Sequence, residues 1–380
     1  MKVIKGGITA ARGYLASGLN CGIKKSGKYD LALIYSTHPA VAAGVFTKNS
    51  IKAAPLLVTE KHLRKNLAQA IIINSGNANC FTGHFGMMYA QKTCHAVAKK
   101  LKIPAENVLV ASTGIIGKPL PYKKIESKLQ KLIDELSIKG GFDAAKGILT
   151  TDKKTKEIAV HLTLGHKKVT IGACAKGSGM IEPNMATMLA FIATDACISA
   201  KLLKAALKEA VNKTFNMITV DGCMSTNDMV TILANGIAGN KIISSKGQYY
   251  KKFVTALECI CLDLAKKIVK DGEGAHKFIE INVCGAPSEN IAQKAAKCIA
   301  NSNLVKTAAF GNNPNWGRVA AAVGSLALKK INEKSLKIKF SSFDKKNILI
   351  GVDLNNGPAQ ATVYTSDLSN EYVRINSEYN

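Results

Sequence analysis

In the segment KGSGMIEPNMATMLAFIATD, which runs from Lys176 to Asp195, Thr187 stands between Ala186 and Met188 at the head of an apolar run. A hydroxyl is a weak nucleophile until a base takes its proton. No Ser-His-Asp pattern in the chain supplies that base. A threonine that begins a chain carries its own, because a free α-amine has a pKa near about 8 and is partly neutral at working pH. Ala186 leaves the preceding carbonyl uncrowded, and Pro183 with the glycines upstream can hold a bent loop. A peptide strained by about 1–3 kcal/mol favours acyl transfer to the hydroxyl. The residues therefore permit self-cleavage between Ala186 and Thr187. Spacing alone favours the plainer reading, a threonine that opens a β-strand, which is what most such threonines are.

Three more polar or glycine-rich loops follow strand-like runs: NSGNANCFTGHFG after AIII, STGIIGKPL after VLVA, and DGCMSTND after MITV. Loops at strand ends are where rigid scaffolds display reactive groups. Glycines there also serve plain turns that need positive φ. In STGIIG the chemistry has a specific form, since acyl transfer passes through a tetrahedral oxyanion that needs preorganised donors. The Thr113 hydroxyl can rotate to donate, and Gly114 lets the backbone N–H come close.

The elements that must position these loops are mixed. DLALIYS, GVFTKN, AQAIIINSG, NVLVAS, EIAVHLTL, KKVTIGAC, TMLAFIATD and KFIEINV read as strands bounded by turn formers. GMMYAQKTCHAVAKKL, YKKIESKLQKLIDEL, AKLLKAALKEAVNKTF, YYKKFVTALECICLDLAKKIV and PSENIAQKAAKCIA carry apolar residues at helical spacing, with Ser199 placed to cap the third. The fold class is mixed α/β, and 380 residues exceed what a single core accommodates, so two domains or one with an appendage are expected.

Composition excludes several classes. A formal charge of +26 suggests nucleic acid, yet only Arg12, Arg64, Arg318 and Arg374 offer the guanidinium fork that phosphate and base edges favour. The lysines sit as pairs along helices and read as solvated faces, so no nucleic-acid partner is expected. No apolar run approaches the roughly 18 residues of a spanning helix, and the N-terminus lacks the apolar core of a signal peptide. No membrane partner is expected, and the cytoplasm is the expected compartment. Ten cysteines are too dilute for a disulfide scaffold, and the close pair Cys259 and Cys261 falls on a helix where packing explains it. Seven histidines without metal-ligand spacing signal no metal site.

The chain resembles the ornithine acetyltransferase family, also called bifunctional glutamate N-acetyltransferases. The resemblance runs from GGITAARGYLASGLNCGIKKSGKYDLALI through NSGNAN, ASTGIIG, LTTD, AKGSGM, ATML, DGEGA and FGNNPNWGRV to YVRINSEY, in order and nearly end to end. It implies a layered αββα sandwich with a smaller C-terminal part. It implies cleavage into an α chain, 1–186, and a β chain, 187–380, that begins with Thr187, and an assembly of two α and two β chains. By the same resemblance Thr187 takes the acetyl group of N2-acetylornithine as an ester and hands it to glutamate, without a cofactor. Some members also use acetyl-CoA, which enters as a second candidate donor.

Carried over residue by residue, Thr113 and Gly114 hold the oxyanion, while Lys176, Glu273, Asn376, Thr187 and either Thr150 or Thr151 bind substrate. The family usually has a hydroxyl residue five positions after its C-terminal asparagine. This sequence stops at Asn380, four after Asn376, so that contact is expected to be missing or replaced by the terminal carboxylate. The alternative from the same nucleophile is an aminopeptidase or amidohydrolase with water as acceptor. Trp316, beside Asn315 and Arg318, is assigned no role.

Overall fold

The computed structural model describes residues 1–182, 188–329 and 331–378. Two compact units emerge, one formed by Met1–Gly177, Asn184–Asn216 and Met224–Leu264, the other by Ser178–Pro183, Met217–Cys223 and Ala265–Asn380. Their boundary does not follow residue 186; the fragments 1–186 and 187–380 were expected as cleavage products, and each contributes to both units.

The first unit holds β1 (Lys2–Ile4), β2 (Tyr14–Leu19), β3 (Leu31–Phe46), β4 (Leu67–Asn77), β5 (Val108–Ile115), β6 (Lys156–Leu164), β7 (Lys167–Lys176), β8 (Leu189–Thr194) and β9 (Met229–Ala234). Hydrogen bonding orders them β1-β6-β7-β8-β9-β3-β4-β5, with β2 also on β3. Its helices are α1 (Ala54–His62), α2 (Gly83–Leu101), α3 (Tyr122–Asp134), α4 (Gly141–Gly147) and α5 (Ala200–Lys213), and α6 (Gln248–Lys270) begins here and ends in the second unit.

DLALIYS and GVFTKN, read from sequence as two strands, are the two ends of β3. Leu31 to Tyr35 pair with β2 and β4, and Val41 to Phe46 pair with β9. Between them the register shifts, at a stretch containing Pro39, which has no N–H to give to a ladder. The strand thus passes from one layer to the next and folds the sheet on itself.

Strict alternation builds the sandwich. Ala32 and Ile34 of β3, Ile71 and Ile73 of β4, and Leu109 and Ala111 of β5 point into one core, where they meet Cys174, Leu189, Phe191 and Leu233 from β7, β8 and β9. Leu31, Leu33, Ala70, Ile72, Val108 and Val110 point the other way, onto Cys94, Val97, Ile125, Leu129 and Leu132 of α2 and α3. On the opposite layer α5 packs against β3 through a face that includes buried Leu203, Ala206, Leu207 and Ala210. Helix, sheet, sheet, helix is therefore the layer order. The Tyr14 hydroxyl crosses the inner core to within 2.8 Å of the Leu233 carbonyl and 3.1 Å of the Thr194 carbonyl, tying one sheet layer to the other.

Ser199 stands at the N-cap of α5 as expected, but its side chain makes no capping bond. MITV, taken as a strand, forms only one isolated bridge, Ile218 to Tyr364. Its neighbour Asp221 instead collects the N–H groups of Met180 and Ile181 at 2.6 and 2.8 Å, which fixes an irregular loop.

The second unit carries β10 (Phe278–Ala286), β11 (Lys337–Phe340), β12 (Asn347–Asp353) and β13 (Ala359–Ser366) in the order β11-β12-β10-β13, with α7 (Glu289–Asn301), α8 (Asn303–Phe310), α9 (Trp316–Gly324) and α10 (Asn370–Ser377). Ile279, Ile281 and Val283 project from β10 onto Ala292, Ala295, Ala296 and Ile299. The run of alanines lets α7 approach the sheet closely. Ser288, Ser302, Asn315 and Ser369 each cap a helix by accepting from the backbone N–H three residues on. Among the described residues no helix is long and apolar enough to cross a membrane.

Candidate active site

In the first unit β4 and β5 run parallel and bring two glycines together, Gly76 opposite Gly114. Gly114 has φ of +131°, and a Cβ on it would lie 2.4 Å from the Gly76 carbonyl carbon. Only glycine lets the two backbones approach like this. STGIIG is therefore the end of a strand through Ile115 rather than a free turn. Asn227, from the STND segment, holds this strand end in place by donating to the Ser112 carbonyl at 2.8 Å and the Ala78 carbonyl at 2.6 Å.

Thr113 is buried, and its hydroxyl accepts from the Lys176 ammonium at 3.4 Å. Lys176 ends β7 with its side chain almost wholly enclosed, and it also donates to the Thr150 hydroxyl at 2.8 Å. Two hydroxyls far apart in sequence thus converge on one ammonium. Lys176 pairs in the sheet with Leu189 of β8, two positions along the chain from Thr187. Ala186 and Thr187 themselves lie outside the described residues.

A residue the sequence reading did not single out organises this cluster. Asp152 is fully buried; its carboxylate accepts from the Thr150 N–H at 3.0 Å, the Gly177 N–H at 2.7 Å and the Lys156 ammonium at 2.7 Å. Burial by itself would raise the Asp152 pKa, but the charges of Lys176 and Lys156 and the donated hydrogen bonds outweigh it and hold the carboxyl below the usual carboxylate range. Asp152 stays ionised and binds the Thr150 loop to the end of β7.

Lys24 is the second such residue. Its ammonium donates to the Tyr29 and Leu149 carbonyls, both at 2.6 Å, and so pins the residue just before Thr150. The Lys24 stem passes over Gly76, whose missing side chain makes room for it. Burial pushes this amine down to about 8; Asp30 opposes the shift and the charge of Lys176 adds to it. Asp30 in turn accepts from the N–H groups of Cys21, Ile23 and Lys24, shaping the loop that delivers the lysine. The available signal was the spacing NCGIKKSGKYD, which sets an acid six residues after a lysine in a glycine-bounded turn.

In the second unit Glu273 is buried, and the Asn376 side-chain amide donates to its Oε2 at 2.8 Å. Gly179 leaves the space for this carboxylate, since a Cβ there would fall 2.3 Å from Glu273 Oε2. Ser369 caps α10 and donates to the Gly274 carbonyl at 2.7 Å, fixing the helix of Asn376 to the turn of Glu273. The described residues thus include Thr113, Gly114, Thr150, Thr151 and Lys176 in the first unit, and Glu273 with Asn376 in the second. Among the described residues no group of three histidine, cysteine or acidic side chains is arranged to hold a metal ion.

The ArgJ family pattern matches residues 15–380. The chain belongs to the ArgJ family. Among ArgJ proteins, the arginine biosynthesis bifunctional protein ArgJ of Caldanaerobacter subterraneus subsp. tengcongensis is 46% identical, with 100% of each chain covered. ArgJ 1 of Clostridium acetobutylicum is 46% identical over 98% of this chain and 97% of its own. A solved chain of the ornithine acetyltransferase of Mycobacterium tuberculosis, complexed with ornithine, is 40% identical, covering 49% of this chain and 99% of that one with a TM-score of 0.47.

Proposed function

We propose that this ArgJ-family acetyltransferase of arginine biosynthesis moves an acetyl group from N2-acetylornithine to glutamate by way of an ester on Thr187, after cutting its own chain before that residue. In maturation the Thr187 hydroxyl attacks the Ala186 carbonyl, the peptide nitrogen leaves as an amine, and water releases the Ala186 carboxylate. The new α-amine is then the base for the hydroxyl beside it. In turnover the hydroxyl attacks the acetyl carbonyl and ornithine departs with its α-amine. The amine of glutamate then attacks the ester, giving N-acetylglutamate and restoring the hydroxyl. Acetyl-CoA enters as a second donor for the same ester, and no cofactor takes part.

The observation that carries the reading is the convergence of the Thr113 and Thr150 hydroxyls on the Lys176 ammonium. A hydroxyl that accepts from an ammonium keeps its own proton turned outward, toward an oxyanion. Thr113 Oγ and the Gly114 N–H are the two oxyanion donors, each worth about 10² to 10³ in rate. Lys176 and Thr150 take the carboxylate of the amino-acid substrates. Glu273, steadied by Asn376, takes the ornithine ammonium. The fragments 1–186 and 187–380 remain together as two α and two β chains in the cytoplasm.

The test is mass spectrometry of purified wild-type and Thr187→Ala protein. Wild type should yield two fragments whose masses meet at the Ala186–Thr187 bond, and Thr187→Ala should yield one folded, inactive chain. A fully active Thr187→Ala protein would end this reading.

A further inference from the structure

A groove of ≈ 850 Å³ opens between α2 and α3 in the first unit, and its walls include Tyr89, Lys92, Lys99, Tyr122, Lys123 and Lys124. That volume lies within the range of about 300–1,000 Å³ usual for small-molecule sites. Four lysines line it against one carboxylate residue, Glu126, which accepts from the Tyr122 hydroxyl at 3.0 Å. Among the described residues Lys92, Lys99 and Lys123 have no acidic partner, unlike Lys213 and Lys246, which pair with Glu258 and Glu209.

Charge alone decides little in a chain with twice as many basic as acidic residues. The rings give the groove a second property. Tyr89 and Tyr122 stack face to face with centroids 5.4 Å apart and planes 8° from parallel, and Phe85, largely exposed, continues the column at 6.5 Å from Tyr89. A stacked aromatic platform inside a ring of lysines offers a planar heterocycle a face and its phosphates their counter-charges. The Lys124 ammonium is already fixed on the Gly22 carbonyl at 2.6 Å, so part of the positive wall is ordered before any ligand arrives.

We infer that the groove between α2 and α3 binds a nucleoside polyphosphate, either free or as the nucleotide handle of coenzyme A. The shared chemistry is a purine-like ring attached to two or more phosphates. Its connection to acetyl-CoA rests on the acetyltransferase reading; the binding itself does not.

The test is isothermal titration calorimetry of the purified full-length protein at low salt with ADP, coenzyme A, adenosine and inorganic pyrophosphate as separate probes. ADP and coenzyme A should bind, and adenosine and pyrophosphate should bind at least about tenfold more weakly, because each lacks one half of the recognition. Lys99→Glu with Lys123→Glu should weaken ADP by about tenfold or more, whereas Tyr122→Leu should weaken ADP and leave pyrophosphate unchanged. Transfer from acetylornithine to glutamate should be intact in all variants, which verifies their fold. A raised KM for acetyl-CoA in the same variants identifies the coenzyme handle as the occupant; an unchanged one identifies a free nucleotide. Absence of ADP and coenzyme A binding, equal affinity in the charge-reversed variant, or tighter binding of a ten-nucleotide RNA strand would overturn the assignment. Failure of acetyl transfer in the wild type would count against the proposed activity and leave the titration interpretable.

Discussion

Lys176 and Thr150 share a hydrogen bond of 2.8 Å, from ammonium to hydroxyl, although one ends a strand and the other lies in the loop after α4. Thr151, next to it in the same motif, takes no part in that bond. Thr150→Val removes the acceptor while keeping the shape, and a hydrogen bond to a charged group contributes about 1.5–3 kcal/mol. If Thr150 acts on substrate through Lys176, kcat/KM for acetylornithine should fall by about 10- to 100-fold. Thr151→Val should cost clearly less. Steady-state kinetics on both variants decides it, and the reverse ranking would move the binding threonine to Thr151.

Gly114→Ala is expected to damage fold and chemistry together. Its Cβ would lie 2.4 Å from the Gly76 carbonyl carbon and 2.5 Å from the Asn77 nitrogen, contacts no flexible side chain can relieve. The positive φ adds strain for any residue with a Cβ. A loss of about 2 kcal/mol or more in urea unfolding is expected, together with accumulation of uncut chain by mass spectrometry. A cleaved variant of wild-type stability would mean that β4 and β5 are not so closely packed at this point.

The layered core was legible because side chains in β3, β4 and β5 alternate between two apolar faces, and their β-branched runs announce it. β9 (MVTILA) was passed over, although it is buried on both faces just as β8 is. β2 (YLASGL) hid behind small residues, and the lysine-bearing β11 is four residues long. The single passage of β3 through two layers was read as two strands, because Ser36 to Pro39 look like a turn when only local preference is considered. Thr113, Thr150 and Lys176 come from three separate places, so spacing could not join them; the family motifs did. Asp152 and Lys24 act on backbone groups brought near only by folding, and nothing in their immediate sequence states which carbonyl or N–H they will meet.

Asp152→Asn should expose how much the cluster depends on one carboxylate. Lys156 is almost wholly enclosed and has that carboxylate 2.7 Å away. Removing one partner of a buried ion pair costs about 3–5 kcal/mol. The acid response follows from the lowered Asp152 pKa. In the unfolded chain the group titrates near about 3.9 and in the folded chain below that, so its contribution is complete above pH 4 and is lost as pH falls through the lower value. Urea midpoints from pH 7 to pH 2 should therefore fall less steeply at the acid end in Asp152→Asn than in wild type. Identical acid limbs would mean the carboxylate is not held in its charged form.

Lys306 makes a prediction of opposite sign. It is buried in the second unit, where its ammonium donates to the Thr365 hydroxyl at 3.1 Å and to the Ser366 carbonyl. Burial pushes its pKa down to about 8, with Asp367 and Asp221 opposing the shift. Unfolded, the amine titrates near about 10.4, so between roughly pH 8 and pH 10.4 the unfolded chain binds more protons and this group makes folding more favourable as pH rises. Buried thiols act the other way: Cys94, Cys174 and Cys261 are pushed up by burial, so the unfolded chain loses their protons first and stability falls. The informative quantity is therefore the difference in urea midpoint between wild type and Lys306→Met, followed from pH 7.5 to pH 10. That difference should shift steadily in favour of the wild type, and Lys24→Met should show the same trend for the same reason. Adding Lys24→Met to Lys306→Met should enlarge the trend, since the two amines lie in separate units and titrate independently. A difference that stays flat with pH would show that Lys306 is solvated enough to keep an ordinary pKa.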